Sequence, residues 1–132
     1  MKKVLILCTG NSCRSILAEA LINTQLEGIS AESSGVKASG MVNPYAKALL
    51  IKEKLWKSEY HSKTLDTLIH KKYDLIVTVC DHAKETCPTF PSRSQRIHIG
   101  LKDPDGLGME AFEYTLERIK IILLPQIKAL LR

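Results

Sequence analysis

The apolar run Val4-Leu5-Ile6-Leu7 passes directly into Cys8-Thr9-Gly10-Asn11-Ser12-Cys13-Arg14-Ser15, and that junction constrains the fold more than any other stretch of the chain. An unbroken aliphatic run of this kind reads as a short buried strand. Beyond it, Ile16, Leu17, Ala20 and Leu21 recur at helical spacing, which predicts a helix from residue 14 to about 26 that stops near Gly28. Between strand and helix stand a cysteine, five residues and an arginine. In such a loop backbone N–H groups converge on an anion, the helix N-terminus adds positive potential, and the planar fork of Arg14 grips two oxygens at once. The same field is expected to lower the Cys8 pKa and hold the thiolate, the form that attacks. Thr9, Gly10, Asn11, Ser12, Cys13 and Arg14 are thus the expected oxyanion-binding residues, with Cys8 as nucleophile. Ser15 is placed to donate a hydrogen bond to the thiolate or to the leaving atom. Cys13, entering the helix, is expected to pack rather than react.

The rest of the chain alternates strand and helix. Residues 29–35 fit a second strand. Asn43-Pro44 marks a helix start, with Asn43 as N-cap and Ala46, Leu49, Leu50 and Leu55 or Trp56 following. A short helix is predicted from residue 64 or 65 to 70, on Leu65, Leu68 and Ile69. Tyr73 to Cys80 is apolar and β-branched without gaps, the pattern of a strand covered on both faces. Asp81 is a candidate cap for a short helix reaching Cys87, after which Pro88 and Pro91 impose a loop. Residues 96–100 alternate as a fourth strand. From about Met109 a long amphipathic helix carries Phe112, Leu116, Ile119, Leu123, Ile127 and Leu130, and Pro125 either kinks it or opens a second helix. This order predicts an α/β fold, a three-layer arrangement in which an open four-stranded parallel sheet has helices on both faces. Its ligand crevice lies beyond the carboxyl ends of the strands, where Cys8, Cys80 and Asp103 fall.

At 132 residues the expectation is a single domain spanning 1–132. No apolar run approaches bilayer length, and the four apolar residues after Lys2-Lys3 are too few for a signal peptide, so the expected location is cytoplasmic, with no membrane partner. The formal charge of +5 suits an anionic small substrate or an acidic protein partner. Nucleic-acid binding is not expected, because the basic residues are scattered and aromatics are 5% of the chain.

In the cytosol, cysteine patterns point to catalysis, redox chemistry or metal. The spacing of Cys8, Cys13, Cys80 and Cys87 matches no common zinc pattern, so no metal is expected. If residues 81 to 87 are helical, Cys80 and Cys87 lie roughly 10 Å apart along the axis at 1.5 Å per residue. A disulfide needs Cα atoms within about 7 Å, so bridging the pair requires this segment to unwind. A disulfide there would double as a conformational switch, carrying an oxidised pair from the active site to the surface. Asp103-Pro104, after the fourth strand, brings a carboxylic acid over the oxyanion to protonate a departing oxygen. His82 and His98 read as structural, His61 and His70 as exposed helix-end residues.

The loop from Cys8 to Ser15, Asn43-Pro44, Val77-Thr78-Val79-Cys80, Cys87-Pro88 and Asp103-Pro104 together resemble the thioredoxin-coupled arsenate reductases, which share the low-molecular-weight protein tyrosine phosphatase fold. The resemblance spans essentially the whole chain. It implies that Cys8 attacks arsenate held by the loop and Arg14, that Asp103 protonates the leaving hydroxyl, and that Cys80 then attacks Cys8, releasing arsenite. Cys87 would next attack Cys80, and the Cys80–Cys87 disulfide would be presented to thioredoxin. Ser15 would tune the nucleophile and Asn11 would order the loop. Phosphate or sulfate would fit the same loop, the protein would act as a monomer, and no cofactor is implied. Some members bind potassium through an asparagine, a glutamate, a serine and an aspartate. Asn11, Glu19 and Ser34 match, but the fourth position falls on Thr64, with Asp66 two residues later, so no potassium site is assigned. Many relatives also carry tryptophan where this chain has Ile99. Two other readings remain open: a tyrosine phosphatase, which needs neither Cys80 nor Cys87 and often has aromatics where Asp105-Gly106 follow, and a non-enzymatic thiol sensor.

Overall fold

The computed structural model describes residues 1–87 and 94–131. Strand β1 (Lys2–Cys8) lies at the centre of a parallel sheet, flanked by β2 (Ile29–Gly35) and β3 (Leu75–Thr78), with β4 (Gln95–His98) beyond β3. Val4, Leu5, Ile6 and Leu7 are all fully buried. Because successive side chains of a strand point to opposite faces, both faces of the sheet are covered there, as the unbroken apolar run predicts. The edge strand β4 is short and polar, with Gln95 and Arg96 exposed, which discourages pairing with another chain.

Helix α1 (Arg14–Gln25) is buried at every position from Ser15 to Ile22. The apolar spacing predicts a stripe, whereas the helix is enclosed on all sides, packing on β1, β2 and α2 (Pro44–Lys52). Asn43 caps α2, its side-chain oxygen accepting the Tyr45 N–H at 2.8 Å, and Leu55 is buried beyond the helix end. The helix expected near 64–70 is only a 3₁₀ turn, Leu65–Thr67. Thr64 is taken by a bridge to Gly35, and the Thr67 hydroxyl bonds back to the Thr64 carbonyl. What remains is too short to repay helix nucleation. His61, expected at a helix end, follows a turn and bonds through Nδ1 to the Glu59 carbonyl.

Helix α3 (Asp81–Thr86) begins one residue earlier than an Asp81 cap requires: the N-cap is Cys80, in extended backbone. Asp81 instead bonds through its carboxylate to His98 Nε2 at 3.1 Å, while His98 Nδ1 meets the Thr78 hydroxyl at 2.8 Å. His98 thus ties β3, α3 and β4 together, the structural role expected of it. The loop assigned to Pro88 and Pro91 lies outside the described residues.

The C-terminal segment resolves the Pro125 alternatives in favour of a second helix. Helix α4 (Met109–Arg118) runs through a π-helical stretch, Ile119–Leu123, into α5 (Leu124–Leu130), with Pro125 in its first turn. Proline has no N–H to give and its ring crowds the carbonyl four residues back. The wider turn, closed by the Leu124 N–H on the Ile119 carbonyl, accommodates it at the join between α4 and α5.

Candidate active site

The loop between β1 and α1 is held from outside by its carbonyls. Cys8 O accepts the Val36 N–H (3.1 Å), Thr9 O that of Lys37 (2.9 Å), Gly10 O that of Ser39 (2.9 Å) and Ser12 O that of Asn43 (2.9 Å). A trans peptide points its N–H opposite its C=O. Anchoring the carbonyls outward therefore turns the following N–H groups inward, and those of Thr9 and Asn11 act to lower the Cys8 pKa. Cys8, Thr9, Gly10, Ser12, Cys13, Arg14, Asp103 and Asp105 line a pocket of about 230 Å³. Asn11, Ser15 and Cys80 stand outside that lining.

Asn11 works from behind the loop. It is fully buried at φ 50°, in the left-handed region, and its Nδ2 donates to Ser15 Oγ (2.8 Å) and Ser33 Oγ (2.9 Å) while Oδ1 accepts the Lys63 N–H (2.8 Å). The backbone conformation that aims the loop is thus locked by three bonds to α1, β2 and the segment before the 3₁₀ turn. Replacing Asn11 with alanine removes all three and leaves an unfavourable φ. The expected result is a loss of about 2–4 kcal/mol in urea denaturation, with weakened oxyanion binding. Asn11→Gly, which relieves φ alone, should recover only part of it.

Arg14, the first residue of α1, is almost buried. Its Nη1 donates to the Leu101 carbonyl at 2.9 Å, Nη2 lies 3.7 Å from Asp103 Oδ2, and Nε is buried with no hydrogen-bond partner among the described residues. A guanidinium so held has a donor to spare for an anion in the pocket. Asp103 is half exposed, and its Oδ1 accepts the Asp105 N–H at 3.0 Å. Asp105 was not marked by the sequence: its carboxylate accepts from Asn43 Nδ2 at 2.9 Å, fastening the Asp103 turn to the start of α2. A carboxylate in a turn carries no local sign of such a distant partner.

Burial pushes the Cys8 thiol up from its ordinary value, correcting the expected lowering. Arg14 and the loop N–H groups act in the expected direction, but Cys8 is only 3% exposed and desolvation outweighs them. Cys80 is close enough that its charge raises the Cys8 thiol further. Cys13, the N-cap of α1, is buried and pushed up to about 11, chiefly by burial. Cys80 is buried with its sulfur 3.1 Å from the Thr9 hydroxyl. Cys87 is half-buried at the far end of α3, its sulfur 3.6 Å from Arg96 Nη1. The cysteines form no disulfide among the described residues.

The residues matching a potassium site do not form one here. Glu19 is buried and pushed up by that burial, the Ser33 hydroxyl donates to it, and Lys63 Nζ stands 3.9 Å away. The lysine already supplies the positive charge, and Asn11 is fully engaged. Ser34 Oγ, buried without a partner among the described residues, is too little to replace the several oxygens a hard cation takes.

The model of the low molecular weight phosphotyrosine protein phosphatase family matches residues 3–130. The chain is 40% identical over 119 residues to the arsenate reductase of Brevibacillus brevis, covering 89% of this chain and 88% of that one. Among solved structures it superposes on the arsenate reductase from Archaeoglobus fulgidus with a TM-score of 0.78 at 30% identity, covering 96% of this chain and 97% of the other. It superposes on the low molecular weight protein tyrosine phosphatase from T. tengcongensis with a TM-score of 0.81 at 25% identity, covering 98% and 99%.

Proposed function

Since the chain belongs to the low molecular weight phosphotyrosine protein phosphatase family, we propose that it reduces arsenate to arsenite through Cys8, Cys80 and Cys87, with thioredoxin returning the oxidised pair to dithiol. The observation that carries this reading is Cys80, a second thiol brought to the loop and touching Thr9 at 3.1 Å. Phosphoryl hydrolysis does not need it. Reduction does, because two electrons must come from two sulfurs.

The raised Cys8 thiol sets the first step. The nucleophile waits protonated, and the arriving arsenate dianion takes its proton, so thiolate forms as the substrate binds. Cys8 Sγ attacks arsenic, an As–O bond breaks, and the oxygen leaves as water with Asp103 relaying the proton. Arg14 and the loop N–H groups hold the remaining oxygens. Cys80 Sγ then attacks Cys8 Sγ, and the S–As bond breaks with its electron pair on arsenic. Arsenic passes from the +5 to the +3 state as the two thiols become a disulfide. Arsenite leaves after taking up the Cys80 proton and two more from water. Cys87 next attacks Cys80, freeing Cys8 and leaving Cys80–Cys87 oxidised.

The test is arsenate-dependent NADPH oxidation by the wild-type chain coupled to thioredoxin and its reductase. The expected result is sustained turnover that needs all three proteins. Rapid hydrolysis of phosphotyrosine without arsenate consumption would establish the phosphatase instead, and reversible thiol oxidation without turnover of either oxyanion would leave the sensor.

A further inference from the structure

We propose that Arg96 is a catalytic residue of the second thiol exchange, its guanidinium favouring the Cys87 thiolate that attacks Cys80. This rests on the three-cysteine relay. Arg96 lies on the edge strand β4, and its Nη1 meets the Cys87 sulfur at 3.6 Å. The two share a cleft of about 190 Å³ whose other walls include Ile76, Thr78 and Ile97. Arg96 itself is exposed, so its effect on the half-buried Cys87 rests on the closeness of the contact, since the attraction between two charges falls with distance.

The charged and titratable groups of the cleft beside Cys87, among the described residues, are Lys84 from α3 and Arg96 and His98 from β4, while β3 contributes only Ile76 and Thr78. Of the two acids on α3, Asp81 is engaged by His98 and Glu85 is exposed. Thr9 supports Cys80, and Arg14 supports Cys8. The third thiol of the relay has Arg96. Burial pushes the Cys87 thiol up and Arg96 opposes it, so removing the guanidinium leaves burial less opposed.

The step balances without an outside reagent. Cys87 gives its proton to water, and its thiolate attacks Cys80 Sγ in the Cys8–Cys80 disulfide. That S–S bond breaks, and Cys8 leaves as a thiolate that recovers a proton from water. One disulfide replaces another and nothing is oxidised overall.

Two measurements on the full chain test this. In the first, reduced wild type, Arg96→Gln and Arg96→Lys are pulsed with iodoacetamide across pH, and modification of the Cys87 peptide is read by mass spectrometry. Arg96→Gln should move the Cys87 midpoint up by about one unit and Arg96→Lys by much less. In the second, arsenate is added without reductant, and the Cys80–Cys87 disulfide is followed after rapid quenching. One unit costs about tenfold in thiolate at pH 7, but each thiolate of higher pKa attacks about threefold faster, so closure should slow about threefold. The difference should vanish or reverse above both midpoints, while the arsenite burst stays at one per chain. An unmoved midpoint, or a slowing equal at every pH, overturns the role of Arg96 and leaves the relay standing. Sustained arsenate turnover by wild type with no Cys80–Cys87 disulfide overturns both.

Discussion

Cys80→Ser should abolish thioredoxin-coupled arsenate reduction, by more than about a thousandfold, while leaving whatever hydrolysis of p-nitrophenyl phosphate the wild type shows within about threefold. The two activities separate because they ask different things of one pocket. Hydrolysis needs a nucleophile, Arg14 and Asp103, which line the cavity together. Reduction also needs a second sulfur to take arsenic's place on Cys8. A serine hydroxyl keeps a hydrogen-bonding partner for Thr9, so the local structure should hold, but it is neither ionised at neutral pH nor able to form a disulfide. Steady-state NADPH oxidation and p-nitrophenol release, measured on the same preparation, give both numbers. Cys8→Ser should lose both. Multiple-turnover reduction by the Cys80→Ser chain would show that the two sulfurs are not acting in sequence.

Gly35→Ala should destabilise the fold by about 3 kcal/mol and weaken oxyanion binding at least about tenfold. Gly35 ends β2 opposite Cys8 in the parallel register. A methyl group there would sit 2.5 Å from the Thr9 carbonyl oxygen and 3.1 Å from both Ala38 Cα and Asn11 Cβ. None of these neighbours is the free end of a flexible side chain. The Thr9 carbonyl is already bonded to the Lys37 N–H at 2.9 Å, and Asn11 is locked by its three bonds, so the loop itself must shift. That displaces the inward N–H groups and Arg14 together. Urea denaturation reads the stability, and the KM for arsenate reads the loop. An unchanged KM in a destabilised protein would mean that the loop keeps its shape by moving β2 instead.

The sheet was legible wherever residues reported on their own surroundings. Val4 to Leu7 and Leu75 to Val77 are apolar because both faces are covered, and a covered strand cannot carry polar side chains unless they find partners. Ser33 in β2 is a buried polar residue of that kind, bonded to Asn11 and Glu19, whereas Ser34 Oγ is buried without a partner among the described residues; the two account for the weak alternation there. The helix expected around residues 64–70 failed because its apolar spacing arises from Leu65 and Leu68 anchoring a turn, while Thr64 pairs with a strand residue distant in sequence. Gly35 and Asp105 gave no local signal, since what makes each necessary is an atom contributed by another part of the chain.

By itself the sequence determined the order of strands and helices, the parallel sheet, and the types of side chain offered beside Cys8, because apolar periodicity and loop composition are local properties. Only the tertiary structure decided which carbonyls turn the loop N–H groups inward, that Lys63 stands beside Glu19, that Arg96 reaches Cys87, and that burial pushes the Cys8 thiol up. Those outcomes depend on summed burial and on distances between segments far apart in the chain. The sequence supplied an arginine to favour the thiolate, and the fold buried that cysteine deeply enough for desolvation to prevail.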